Sequence, residues 1–152
     1  MSDTPRHSVS VAGIIVNEAG QVLVIRRRDT GAWEPPGGVL ELDETFDDGV
    51  RREVAEETGV AVTVGPLTGI YKNMNRGIVA LVFRCFPLTG QPQPTLESTT
   101  VAWLDIAEVI KRMDPAYAVR VTDAFTSDTS VRAHDGTNLI SVADHEHMPG
   151  GR

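Results

Sequence analysis

The most constraining feature of this chain is an acidic stretch, residues 38–60, which holds eight of its 21 acidic residues. Glu53, Glu56 and Glu57 recur at i, i+3 and i+4, so a helix would carry all three on one face. Like charges at this spacing destabilise a helix by about 0.2–0.5 kcal/mol per pair. Carboxylate oxygens are the ligands that suit Mg²⁺ and Mn²⁺. The spacing therefore indicates a cation site, and an acidic helix that only faces solvent is the alternative interpretation.

Local signals around these glutamates predict a loop followed by a helix. Thr45 is a candidate N-cap, and Gly59 can end the helix in a left-handed backbone conformation. Phe46, Val50 and Val54 recur every four residues. They predict an apolar stripe that packs on the core beside the carboxylates.

The order of residues in this stretch matches a longer sequence motif, of which the acidic residues are only one part. Gly38 is followed after five residues by Glu44, and after seven more by the run 52–60, REVAEETGV. This arrangement resembles the complete Nudix box, Gly38–Val60, and the resemblance to the Nudix hydrolases extends over about residues 8–112. It implies an α/β Nudix fold, in which a mixed β-sheet is sandwiched between α-helices.

The resemblance also implies a metal site with Mg²⁺ or Mn²⁺ as the cofactor. The positions that bind the metal in this family correspond to three glutamates and to backbone carbonyls of the preceding glycines: Glu53, Glu56, Glu57, Gly37 and Gly38. Arg52 would orient the carboxylates from behind. Glu44 also belongs to the box, and we expect it to be structural, bonding to the backbone near the loop.

The general base differs between members of the family, being either a box glutamate or an acid from a distant loop. Glu97 lies six residues before Trp103, where some members keep an acid near the metals. An exposed loop glutamate is the alternative interpretation. The candidate catalytic residues are therefore Glu53, Glu56, Arg52 and Glu97.

The first half of the chain has one basic cluster, Arg26, Arg27 and Arg28, in a predicted strand. These arginines either contact substrate phosphates or keep an edge strand soluble. We assign Arg26 and Arg28 as candidate substrate-binding residues, with Trp33 of the following loop, although a tryptophan at such a place more often packs than binds.

The implied reaction is hydrolysis of a phosphoanhydride bond in a nucleoside diphosphate linked to another moiety. Nucleoside triphosphates, nucleotide sugars and dinucleotides all belong to this class of small molecule. A Nudix-like protein that senses a nucleotide without turnover is the alternative. The intact glutamates argue against it, because a pure sensor does not need the metal ligands.

Charge and cysteine content restrict partners and location. A net charge of −7 argues against nucleic acid as a partner. No apolar run approaches the ~20 residues that a membrane span needs. Cys85 is the single cysteine, which excludes an internal disulfide and predicts a buried thiol in a cytoplasmic protein. Association into a homodimer is compatible with the sequence.

The length of 152 residues predicts one domain. We expect a disordered N-terminus over residues 1–7, a Nudix domain over 8–126, and a mobile tail over 127–152, which has few large apolar residues. His145-Glu146-His147 would belong to that tail and not to a second metal site. Strands are predicted at 8–16 and 21–28 as a hairpin, and at 61–67, 78–88 and 100–104, with helices at 106–113 and 115–125. Loops are predicted at 29–38 and, from its polar residues, at 71–77.

Overall fold

The computed structural model describes residues 3–141. Residues 1–2 and 142–152, the latter with the motif His145-Glu146-His147, lie outside this description. The strands are Ser8–Ile15 (β1), Val22–Arg27 (β2), Trp33–Glu34 (β3), Gly37–Val39 (β4), Ala61–Asn73 (β5), Ile78–Thr89 (β6), Ser98–Leu104 (β7), Ser130–His134 (β8) and Leu139–Ile140 (β9). The helices are Phe46–Thr58 (α1), Ile106–Arg112 (α2) and Pro115–Asp123 (α3).

The strands form two sheets. The larger is mixed, with the order β4-β1-β6-β5-β8-β9, and the smaller has the order β3-β2-β7. In the larger sheet β1 pairs with β6 and β5 with β8 in parallel, while the other neighbours are antiparallel. No helix among the described residues is long and apolar enough to cross a membrane.

Strand β1 is buried on both of its faces. Successive side chains of a strand point to opposite faces, so Val11 and Ile15 pack with Val54 of α1. Ile14 faces the other way and packs with Val121 of α3. Helices therefore cover both faces of the larger sheet, and the predicted α/β/α fold class is confirmed.

Helix α1 begins and ends where the sequence predicts. The Thr45 hydroxyl accepts a hydrogen bond from the Asp48 N–H at 3.2 Å, and Gly59 ends the helix with φ +78°. Val50 and Val54 are fully buried, whereas Phe46, at the first helical position, stays about half exposed. The apolar stripe is therefore one residue shorter than predicted.

The predicted hairpin between the first two strands is wrong. Strands β1 and β2 belong to different sheets, and in the described chain a single antiparallel bridge, Val16 to Val22, links them. The Asn17 side chain stabilises the connection by accepting the Ala19 and Gln21 N–H groups at 3.0 and 2.9 Å. This short polar connection therefore reverses the direction of the chain and joins strands that belong to different sheets.

Two predicted loops are in part strands. Residues 29–38 contain β3 and begin β4, and β5 continues to Asn73 although a loop is predicted from Tyr71. Glycine and proline in residues 29–38 favour the prediction of a loop. The two short strands there pair only at sheet edges, β3 with β2 and β4 with β1. Tyr71 is fully buried in the core, so its segment could not be a polar loop.

The predicted mobile tail is wrong for residues 127–141. Strand β8 pairs in parallel with β5, and His134 at its end is only 1% exposed. Arg132 forms an ion pair with Asp123 of α3 at 2.7 Å. The segment is held by backbone pairing and by polar contacts more than by large apolar side chains. Its low content of large apolar residues therefore does not show that it is folded.

Candidate active site

Helix α1 directs two glutamates inward against β4. Glu53 and Glu57, one turn apart, are only 8% and 4% exposed. The Glu57 carboxylate accepts the Gly37 N–H at 2.7 Å. A Cβ on Gly38 would lie 2.6 Å from the Glu53 carboxyl carbon. Gly38 is therefore a glycine because the Glu53 carboxylate occupies the space that a side chain would need.

A third carboxylate reaches this place from a distant loop. One carboxylate oxygen from each of Glu53, Glu57 and Glu97 lies within 4.8 Å of the other two. Glu97 lies just before β7 and its side chain is exposed, whereas the other two are buried. We call this group the three-carboxylate cluster. It brings together two glutamates of the box with the loop acid that sequence spacing singles out.

Arg28 holds the loop that carries Glu97. Its guanidinium donates to three backbone carbonyls, those of Thr95 at 2.9 Å, Leu96 at 3.2 Å and Ser98 at 3.5 Å. Its own backbone N–H donates to the Glu97 carbonyl at 2.9 Å. The position of Glu97 thus depends on Arg28, whose guanidinium is already engaged with the backbone.

Arg52, which lies outside the cluster, donates hydrogen bonds to three carboxylates. It donates to Glu44 at 2.5 and 2.8 Å, to Glu53 at 2.8 Å and to Glu56 at 2.9 Å. Glu44 also accepts the Glu41 N–H at 3.0 Å, which confirms the expected backbone contact. Glu56 is half exposed on the solvent side of Arg52 and is not part of the cluster.

Burial makes the two inner carboxylates of the cluster, Glu53 and Glu57, hard to ionise. Burial raises the pKa of Glu57 to about 8, and the nearby Glu53 and Glu97 add to the effect, although the Gly37 N–H opposes it. Burial also raises the pKa of Glu53, with Arg52 acting in the opposite direction. Glu44 behaves differently, because its hydrogen bonds to Arg52 lower its pKa to about 2. Glu57 therefore retains a proton at neutral pH unless a cation lies beside it.

The cluster lies in a cleft made of two adjoining cavities. The first, of about 480 Å³, is lined by Arg27, Arg28, Asp29, Gly37, Gly38, Val39, Glu53, Glu57, Leu96 and Glu97. The second, of about 450 Å³, shares part of this wall and extends toward α3 and the end of β8. Each compartment has the size of a small-molecule site.

Comparison with known proteins now decides the family. The NUDIX domain family matches residues 6–125 of the chain. The chain belongs to the Nudix family. It is 58% identical over 137 residues to a MutT-like protein of Streptomyces ambofaciens, which covers 90% of this chain and 89% of the relative.

Further relatives agree with this Nudix membership. An ADP-ribose pyrophosphatase of Methanocaldococcus jannaschii is 35% identical over 111 residues, which is 68% of this chain and 65% of the relative. The crystal structure of a Nudix hydrolase from Nitrosomonas europaea shares the fold with a TM-score of 0.74 at 22% identity, over 86% of this chain and 81% of that one. The chain is thus an enzyme of the Nudix hydrolase type.

Two of the predicted substrate-binding residues lie away from the Nudix cleft. The Arg26 guanidinium donates to the Gly31 carbonyl at 3.0 Å and lies 5.9 Å from the centre of the Trp33 ring. Arg112 of α2 lies 5.0 Å from the same ring. Of the described residues that line the two cavities, none is Arg26 or Trp33. Trp33 packs between arginines instead.

Sequence reasoning missed the arginine that does face both cavities. Arg27 lines each of them and pairs with Asp29 at 2.7 Å. The pairing of β2 with β7 shifts register between Arg26 and Arg27, and of these two neighbours it is Arg27 that faces the cleft. Nothing local in a run of three arginines shows which one does. Tyr117, Arg120 and His134 in the second cavity carry no motif and were not predicted either.

Proposed function

We propose that this Nudix enzyme hydrolyses a phosphoanhydride bond of small nucleotides with a divalent cation, Mg²⁺ or Mn²⁺. The observation that carries the proposal is the three-carboxylate cluster in a cleft of nucleotide size. The substrate class is a nucleoside diphosphate linked to another moiety. The net charge of −7 supports a small molecule over a nucleic acid as the partner.

The donor set fits a hard divalent cation. Glu53 and Glu57 offer carboxylate oxygens that lie within 4.8 Å of each other and of an oxygen of Glu97, and oxygen ligands are those that Mg²⁺ prefers. Glu56 is proposed as an outer ligand, since it lies on the exposed side of Arg52. The family resemblance adds a backbone carbonyl of Gly37 or Gly38. When bound, the cation neutralises phosphate oxygens and lowers the pKa of a water.

The protein's own groups have separate tasks in this proposal. Glu97 is the proposed general base, because its carboxylate is exposed to water yet held beside Glu57 by the loop that Arg28 fixes. Arg52 is a positioning residue, because it holds the carboxylate of Glu53 at 2.8 Å. Arg27 lines both cavities and supplies positive charge toward the phosphates.

The names of the relatives support cleavage of a phosphoanhydride bond more than they support any single substrate. The archaeal relative is an ADP-ribose pyrophosphatase. An RNA pyrophosphohydrolase of Pseudomonas putida matches only 60 residues, 40% of this chain, at 42% identity. Both names describe cleavage between phosphates, so the proposal covers several leaving groups.

A panel of nucleotides tests the proposed reaction directly. Nucleoside triphosphates, ADP-ribose, nucleotide sugars and dinucleoside polyphosphates would be incubated with millimolar Mg²⁺, and the products separated by chromatography. In ¹⁸O water the label is expected on a product phosphate, and EDTA is expected to stop turnover. Equal cleavage of simple phosphate monoesters would contradict the proposal. Tight nucleotide binding without turnover would favour a sensor.

Arg28 provides a separate prediction about the base. Arg28→Met is expected to lower kcat about 10–100-fold with little change in KM, because the loop bearing Glu97 loses its three carbonyl contacts. Steady-state kinetics would measure this, and hydrogen exchange of residues 95–98 would show the loosened loop. Arg26→Met is the matched control, since Arg26 contacts Gly31 and Trp33 outside the cleft. Equal losses in both variants would refute the positioning role.

A further inference from the structure

Arg120 of α3 is a buried cation that forms no ion pair with a carboxylate among the described residues. It lines the second cavity and is only 7% exposed. The carboxylate of Asp123, one turn along the helix, accepts two hydrogen bonds from Arg132 and one from Tyr71. Within residues 3–141 no carboxylate forms an ion pair with Arg120 at 4.0 Å or less, although the charge of Glu34 in the same cavity wall acts on Arg120 from farther away. A buried charge that is left unpaired destabilises the free protein.

Two aromatic rings fix the guanidinium of Arg120. It lies 5.0 Å from the centre of the Tyr71 ring and 4.7 Å from that of Tyr117. Cation–π contacts of this kind hold the charge without using its N–H groups. In the described part of the chain, the buried Arg120 Nε has no hydrogen-bond partner. The guanidinium is therefore held in place by the two rings more than by hydrogen bonds.

Among residues 3–141 the polar side chain within hydrogen-bond distance of Arg120 is His134, and it cannot satisfy the guanidinium fully. Arg120 Nη2 lies 3.3 Å from His134 Nε2, while His134 Nδ1 lies 3.0 Å from the Gly136 N–H. Burial and the charge of Arg120 lower the pKa of His134, so the imidazole is neutral. A neutral imidazole has one acceptor nitrogen, and two donors point at it. One of the two donors therefore lacks an acceptor.

The space beside Arg120 has room for a ligand much larger than a simple anion. The second cavity has a volume of about 450 Å³ and joins the cavity that holds the three-carboxylate cluster. Asn73, also in its wall, already uses its carbonyl oxygen to accept the Asn75 and Arg76 N–H groups. Its amide group therefore has only N–H donors to offer a ligand. A ligand of nucleoside size with acceptors on one edge fits these donors.

We propose that Arg120 determines specificity by binding a nucleobase edge that carries two hydrogen-bond acceptors, as O6 and N7 of a 6-oxopurine do. An arginine guanidinium matches such an acceptor pair with two parallel hydrogen bonds. A 6-aminopurine places a donor at the same point, where it would oppose the guanidinium. The inference rests on the proposed hydrolysis of nucleotides at the three-carboxylate cluster.

Inosine and adenosine nucleotides provide the test, since their bases differ at position 6. Wild-type enzyme is expected to bind IMP about tenfold or more tighter than AMP by calorimetry, and to show the same preference in kcat/KM for ITP over ATP. Arg120→Met is expected to abolish the preference. Arg120→Lys keeps the charge but loses the paired geometry, so it should lose most of the preference too.

Arg84→Met is the matched control. Arg84 also has a buried Nε without a partner among the described residues, and it lies over the Phe125 ring at 4.8 Å, but it lines a different cavity. Its substitution should leave the IMP preference unchanged. In addition, the ¹⁵N shifts of His134 should change when IMP takes up the Arg120 donors, and this change should be absent in Arg120→Lys.

Several outcomes would overturn the Arg120 inference. They are equal affinity of the wild type for IMP and AMP, no binding of either, or a preference that survives Arg120→Met. Its failure can be told apart from failure of the proposed function. Equal hydrolysis of ITP and ATP would refute only the role of Arg120, whereas IMP preference in a protein without hydrolytic activity would refute only the reaction.

Discussion

Glu57→Gln is expected to lower kcat/KM about 10³-fold, and Glu53→Gln by a similar factor. Each substitution keeps the side-chain volume but removes one charged oxygen from a cluster whose members lie within 4.8 Å. A bound cation contributes several kcal/mol of transition-state stabilisation, and each 1.36 kcal/mol is about a tenfold change in rate. Steady-state assays on the best substrate of the panel would measure the loss at saturating Mg²⁺.

Glu56→Gln is the matched control for these variants. Glu56 is half exposed and hydrogen-bonded to Arg52 at 2.9 Å, and it is not part of the cluster. Its substitution should therefore cost much less activity than those of Glu53 and Glu57. Near wild-type turnover by both Glu53→Gln and Glu57→Gln would refute the metal site.

The pH dependence of the metal-free protein gives the same prediction a second readout. The pKa of Glu57 rises from 4.5 to about 8 on folding, so between these values the native state binds a proton that the unfolded chain has released. The stabilisation of the folded state by this proton is fully present below pH 4.5 and is lost as pH rises through about 8. In EDTA, the melting temperature of the wild type should fall across this range, and that of Glu57→Gln should fall less.

A chain that ends at Thr126 is expected to be less stable by about 3–5 kcal/mol and to lose activity. Removal of β8 exposes the edge of β5 and deprives Asp123, only 4% exposed, of its paired contacts with Arg132. Without Arg132 the buried Asp123 carboxylate loses its cation, and leaving a buried charge uncompensated has an effect of this size. Thermal unfolding should show a decrease in the melting temperature on the order of 10 °C.

A chain that ends at Ser141 is the control for this truncation. It keeps β8 and β9 and the contacts of Arg132 and His134. We expect its melting temperature to stay close to that of the full chain. If the chain ending at Thr126 were equally stable, the contribution of β8 to the fold would be refuted.

The local features of α1 could be predicted from the sequence because they depend on neighbours along the chain. The N-cap hydroxyl of Thr45 and the positive φ of Gly59 both follow from short-range signals. The three-to-four-residue spacing placed Glu53 and Glu57 on one side of the helix. The class of the fold followed from the same box through its resemblance to a known family.

Contacts between distant segments were harder to predict. Glu97 was singled out by its distance from Trp103, yet only the tertiary structure shows that Arg28 holds its loop beside Glu57. For Arg28 the sequence leaves open phosphate contact and a role in keeping an edge strand soluble, but its guanidinium is bound to backbone carbonyls. A sequence does not show which acceptors a long, flexible side chain will find.

By itself, then, the sequence determined the box helix, its carboxylate face and the family, because helix period, caps and motif order are all local properties. Only the tertiary structure decided that Arg27 faces the cleft while Arg26 stacks on Trp33. It also decided that β8 joins the sheet and brings His134 to Arg120. The physical reason is that strand pairing and burial depend on segments far apart in the chain, whose meeting no local pattern records.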